Sequence, residues 1–189
     1  MAFRANPLGV LVNNYLMKMA MPLAVWFIAE YLLRNASAGN IMLSVVSVPL
    51  MLVTPFAVFR ILRHLRQTVL SDMMLGIQAW TFGVQLAFFA GLIEALFIFV
   101  YNQYLFPTAI ADNMQHTIAL YEQMSSQLQE VGTNSSLFDA LGQTIEEMKQ
   151  MSVPSAIDTA ISTLSNEIFL AMLYLIPVAL YVRKKPNMN

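Results

Sequence analysis

Residues 82–107 read FGVQLAFFAGLIEALFIFVYNQYLFP and contain one charged side chain, Glu94. A bilayer core of roughly 30 Å is crossed by about 20 mainly apolar helical residues. Taken from Ile77, this run (77–106) is long enough to cross. Within it Gly83, Ala87, Gly91 and Ala95 recur every four residues. Such a small-residue stripe on one helix face lets a second helix approach closely.

Three further runs have the same character, at about 10–33, 41–59 and 157–182. The first is too long for a signal peptide and is interrupted by Asn13, Asn14 and Lys18, so it reads as a retained membrane helix. Pro22, Pro49, Pro55 and Pro177 fall inside runs and predict kinks, which membrane helices tolerate. Composition agrees: of 189 residues, 58% are hydrophobic and 11% charged, where soluble domains carry about a quarter charged residues. The expected fold is an all-α integral membrane protein with four transmembrane helices.

Residues 108–153 break this pattern, being rich in Gln, Glu, Ser and Thr. Ile118, Tyr121, Met124, Leu128 and Val131 recur at helical spacing, as do Leu137, Leu141, Ile145 and Met148. Between the two series Gly132, Thr133, Asn134, Ser135 and Ser136 signal a turn, with Ser136 and Asp139 a capping pair. The segment therefore reads as an amphipathic helical hairpin between the third and fourth spans, whose stripes pack on each other, on the bilayer surface or on another protein. Pro107 alone separates the third span from the first hairpin helix, and Ser152 with Pro154 reads as the start signal of the last helix.

Short-loop cations set orientation. Arg60, Arg63 and Arg66 follow the second span, and Arg183, Lys184 and Lys185 follow the fourth, against Arg34 and Lys149 on the other side. Both termini are expected in the cytoplasm, with the last span and its basic tail at 154–189. The acids Asp112, Glu122, Glu130, Asp139, Glu146, Glu147 and Asp158 all fall in or beside the hairpin, which is expected to be extracytoplasmic. Trp80, Tyr101 and Tyr104 flank the third span as interfacial aromatics do.

Chemistry-bearing residues are few. Glu94 stands out as the ionisable group deep in an apolar run, where an acidic residue costs about 2.5–3.5 kcal/mol. It reads either as a proton- or cation-linked site or as a plain interhelical hydrogen bond. Lys18 is the candidate partner, because it also lies within a span and lysine snorkels. Gln85 projects about half a turn away from Glu94, which argues against one continuous polar face. Arg60, Arg63 and Arg66, spaced by three, form a membrane-surface basic cluster that serves as a topology signal or grips anionic headgroups.

Several functions are disfavoured. A net charge of -1 gives no basis for nucleic-acid binding. Without cysteine, and with only His64 and His116, no thiolate or histidine metal site is expected. His64 reads as an exposed interfacial residue. No phosphate loop, nucleophile elbow, paired histidines or apolar carboxylate pair is visible, so neither a cofactor nor a catalytic residue is expected. Asn35-Ala36-Ser37 and Asn134-Ser135-Ser136 match the glycosylation sequon, a pattern that chance readily produces.

The run 82–107, the YEQM segment at 121–124 and the VRKK ending at 182–185 resemble the bacterial membrane family called domain of unknown function 4199, common in Bacteroidota. The resemblance covers nearly the whole chain and implies a four-span fold in the bacterial inner membrane. It implies no activity, cofactor or catalytic residue. The leading expectation is a noncatalytic accessory subunit that meets an envelope partner through the hairpin or the small-residue stripe. The alternative is a small oligomeric transporter or channel with Glu94 as its coupling residue, a reading that a partner-free homo-oligomer would favour over an envelope partner.

Overall fold

The computed structural model describes residues 7–37, 41–130 and 135–183. Among them are six helices and no strand: α1 Pro7–Ser37, α2 Ile41–Thr68, α3 Gly76–Val100, α4 Ala109–Glu130, α5 Ser135–Gln150 and α6 Ala156–Val182. Residues 131–134 and the basic pair Lys184 and Lys185 lie outside the described residues, as do the side chains of Leu128, Ser136, Leu137 and Asp139; of the turn expected over 132–136, Ser135 and Ser136 belong to α5.

Three helical segments, Pro7–Ser37, Gly76–Leu105 and Ala156–Val182, are long and apolar enough to cross a membrane. Their outer surfaces fit a lipid solvent: Val25, Leu96 and Phe169 are 66%, 65% and 61% exposed. So many large apolar groups facing outward would be costly in water.

α3 lies at the centre, packed most extensively on α6 and next on α1. The small-residue stripe is the reason. A Cβ placed on Gly83 would come 2.5 Å from Leu175 Cδ2, and one on Gly91 would come 2.9 Å from Leu164 Cδ1, so the stripe's glycines admit α6 side chains. Ala87 is fully buried on the same face, while Ala95 is partly exposed. α1 and α3 run parallel, linked by Gln85 Nε2 donating to Asn13 Oδ1 at 2.8 Å and Asn102 Nδ2 donating to the Tyr31 hydroxyl at 2.8 Å.

α2 continues past the expected limit of the second span to Thr68, because Val58, Leu62 and Leu65 keep a fully buried face through the basic stretch. His64 is exposed yet structurally engaged. Its Nδ1 shares a 2.7 Å hydrogen bond with the Tyr15 hydroxyl, and the two rings stack at 5.8 Å. Arg66 leaves the surface cluster altogether: its Nη1 donates to the Val182 carbonyl at 2.6 Å and its Nε lies 3.0 Å from Asp72 Oδ1. This clasp holds the α2–α3 loop, where Ser71 and Asp72 adopt positive φ of 50° and 62°. That conformation is uncommon for residues other than glycine and needs such an anchor.

α3 ends in a π-helical turn, Tyr101–Leu105. A break at residues 106–108, wider than Pro107 alone, then separates it from α4. α4 and α5 touch each other, and Lys149 Nζ meets Glu122 Oε1 at 2.7 Å. The start of α6 is a capping box formed by Ser155 and Asp158 rather than by Ser152 and Pro154. Ser155 Oγ accepts from the Asp158 amide at 3.2 Å, and Asp158 Oδ2 accepts from the Ser155 amide at 3.3 Å.

Candidate functional site

The buried faces of α1, α3 and α6 each carry one glutamate. On α1 the buried positions run Val12, Leu16, Ala20, Leu23, Phe27, Glu30; on α6 they run Ala156, Ala160, Glu167, Ala171, Leu175. Glu94 occupies the equivalent place on α3, between Ala90 and Ile98. Helical periodicity thus turns all three carboxylates inward. They are 7% (Glu30), 0% (Glu94) and 8% (Glu167) exposed.

α2 contributes Thr54, also buried, one residue before Pro55. Its hydroxyl accepts from Trp26 Nε1 at 3.0 Å and donates to Glu30 Oε1 at 2.9 Å, so a hydrogen-bonded chain ties α1 to α2. Arg34, one turn after Glu30, reaches toward α6 and places Nη2 4.0 Å from Glu167 Oε1. Neither oxygen of Glu94 has a hydrogen-bond partner, and the charges acting on it are those of Glu167, Arg34 and Glu30. The buried Tyr174 hydroxyl is likewise without a partner and within the influence of Glu167 and Glu30. Beside the cluster lies a cavity of about 230 Å³, lined by Arg34, Thr163, Asn166 and Glu167 among others.

This arrangement corrects two sequence readings. Lys18 is exposed and does not pair with Glu94. The parallel register of α1 and α3 sets Glu94 nearer to the level of Pro22 than to Lys18, and Lys18 leaves the buried stripe that Leu16 and Ala20 occupy. Nor is Glu94 alone, because an apolar bundle does hold several carboxylates. Glu30 is less legible in the sequence because it lies near a span end beside Arg34, and Glu167, though central in its span, because the polar Ser165 and Asn166 precede it. The available signal was register: Glu30 falls three residues after Phe27, and Glu167 four before Ala171.

The other expected features occupy separate places. Gln85 pairs with Asn13, away from the cluster. Trp80 donates to the Met172 carbonyl at 3.1 Å, joining α3 to α6, and Tyr101 packs edge-on against Tyr31. Tyr104 is exposed. Arg60 and Arg63 are exposed on α2, and His116 is exposed on α4. Among the described residues no three His, Asp or Glu side chains are placed to hold a metal ion.

Of the three buried carboxylates, Glu167 meets the Arg34 guanidinium and Glu30 accepts from Thr54, whereas Glu94 has neither kind of partner. A buried charge without a counter-ion costs several kcal/mol, so such groups are retained in membrane bundles mainly where they bind or relay something. Long apolar helices with an apolar exterior and ionisable groups sealed between them make this a helical membrane protein. Residues 18–184 match the family model described as "Protein of unknown function (DUF4199)", and the chain belongs to that family. No curated protein and no solved structure matches it.

Proposed function

We propose that this chain is a small, noncatalytic, four-span protein of the bacterial inner membrane that couples proton exchange at Glu94 to movement of a solute, acting as an oligomer. The observation carrying this reading is the fully buried Glu94 carboxylate, which has no hydrogen-bond partner and lies within electrostatic reach of Glu167, Arg34 and Glu30. A carboxyl so placed can gain or lose a proton without breaking a hydrogen bond, and each transfer alters the charge balance around Arg34. The cavity at Arg34 and Glu167 offers a polar approach from one end of the bundle. Residues 41–59 carry no charged side chain and support α2 as the fourth span. Excess basic residues in the last turns of α2 and after α6 support cytoplasmic termini and an extracytoplasmic α4–α5 hairpin.

The test is proton flux in liposomes containing a pH-sensitive dye. Wild type should exceed protein-free liposomes, and Glu94→Gln should return flux to that background. Equal flux from wild type and variant would remove Glu94 from any coupling role.

A second reading, an accessory subunit for an envelope partner, is favoured by Leu120 and Met124 on α4, which are 47% and 45% exposed. Apolar side chains on a polar helix suit a protein contact. Stoichiometric co-purification from the native host, lost on Leu120→Glu, would establish it, whereas a partner-free homo-oligomer would reject it.

A further inference from the structure

The part of the α2–α6 interface toward the ends of both helices, Thr68 and Val182, contains a groove of about 530 Å³. Pro55, Phe56 and Phe59 form its α2 wall, and Tyr174, Pro177 and Tyr181 its α6 wall. That volume lies in the range of roughly 300–1,000 Å³ typical of small-molecule sites, and the lining is almost wholly apolar. A proline stands in each wall, and α2 touches α6 far less than α3 does.

Arg60 and Arg63 continue the Phe56 face of α2 at steps of four and three, carrying it beyond the groove toward the end of the helix at Thr68. Both are exposed, and neither forms an ion pair among the described residues. Arg66, one turn further on, is by contrast consumed by Asp72 and the Val182 carbonyl. Neither wall supplies a counter-ion: residues 41–68 contain no Asp or Glu, and none follows Glu167 in α6. An apolar slot leading to two unneutralised guanidinium groups is complementary to a ligand with a long apolar tail and an anionic head.

We propose that this groove binds one phospholipid with an anionic headgroup, an acyl chain lying between Phe56 and Tyr181 and the phosphate resting on Arg60 and Arg63. Arginine pairs with phosphate in a bidentate manner, and interfacial cations attract anionic lipid. A second copy of the chain fits less well, because it would have to cover two arginines without supplying their counter-ion. The site is independent of whether Glu94 moves a proton.

Native mass spectrometry tests this on the full chain in detergent micelles, offered equimolar phosphatidylglycerol and phosphatidylcholine with the same acyl chains. Wild type should retain one phosphatidylglycerol with a preference of at least roughly tenfold, as two interfacial cations provide. Arg60→Gln/Arg63→Gln should abolish the preference while circular dichroism stays unchanged. Phe56→Ala/Tyr181→Ala, which leaves the charges in place, should lower retention of phosphatidylglycerol. If the glutamine variant does not fold, the wild-type preference and the alanine variant decide. Equal retention of both lipids, full displacement by soluble glycerol phosphate, or a dimer in place of the lipid adduct would each overturn the proposal.

Discussion

Arg66 and Arg34 sit at opposite ends of the same bundle and meet very different company. Arg66 has the Asp72 carboxylate at 3.0 Å and the Val182 carbonyl at 2.6 Å, and so joins the α2–α3 loop to the end of α6. Arg34 has one carboxylate, that of Glu167, at 4.0 Å, and both oxygens of the buried Glu94 are left without a hydrogen bond. A cation held by a carbonyl hydrogen bond and a close ion pair holds a structure together. A cation outnumbered by acids leaves a site that can change state, at some cost in stability.

That contrast yields a graded set of outcomes for unfolding measured in detergent. Arg66→Met should have the largest effect, about 3 kcal/mol, because it orphans a carbonyl and an acid; Asp72 at 41% exposed keeps the loss below that of a fully buried pair. A shift under about 1 kcal/mol would show that the clasp is ornamental. Gly83→Ala, at the seam between the two ends, should cost about 2 kcal/mol, since Leu175 is fully buried and must leave its rotamer. Leu175→Ala in the same chain should recover part of that loss, and absence of recovery would place the strain elsewhere.

Thr54→Val removes both the hydrogen bond from Trp26 and the one to Glu30, and should cost about 1 kcal/mol, the scale of interhelical hydrogen bonds in membranes. The smallest change belongs to Glu94→Gln. It breaks no hydrogen bond, so stability should move by less than about 1 kcal/mol, toward greater stability, while flux is lost. Should Glu94→Gln destabilise the bundle as much as Arg66→Met does, the distinction between a holding end and a responsive end collapses.

The apolar runs were readable from composition and spacing, and the helices follow them closely. α3 spans Gly76–Val100 plus a π-helical turn where 77–106 was expected, and α6 spans Ala156–Val182 where 157–182 was expected. Glycines at 83 and 91 announced a close approach, though not which helix would make it. Arg66 was misread because three arginines at equal spacing look alike until a loop and a helix terminus fold onto one of them. Glu94 was conspicuous because its neighbours in sequence are apolar. Glu30 and Glu167 were not, because their burial comes from neighbours in space.

The sequence by itself determined that this chain needs a lipid solvent, where its long helices run, and that one face of α3 is small enough to be closely approached. Those are local properties, set by side-chain transfer energies and by the 3.6-residue period. Only the tertiary structure decided that Glu30, Glu94 and Glu167 are all buried, that Arg34 meets Glu167 and Thr54 meets Glu30, that Lys18 is exposed, and that Arg66 closes a loop while Arg60 and Arg63 do not. Each of these depends on the register and rotation of helices far apart in the chain, which packing at Gly83, Gly91 and Leu175 fixes and which no single helix encodes.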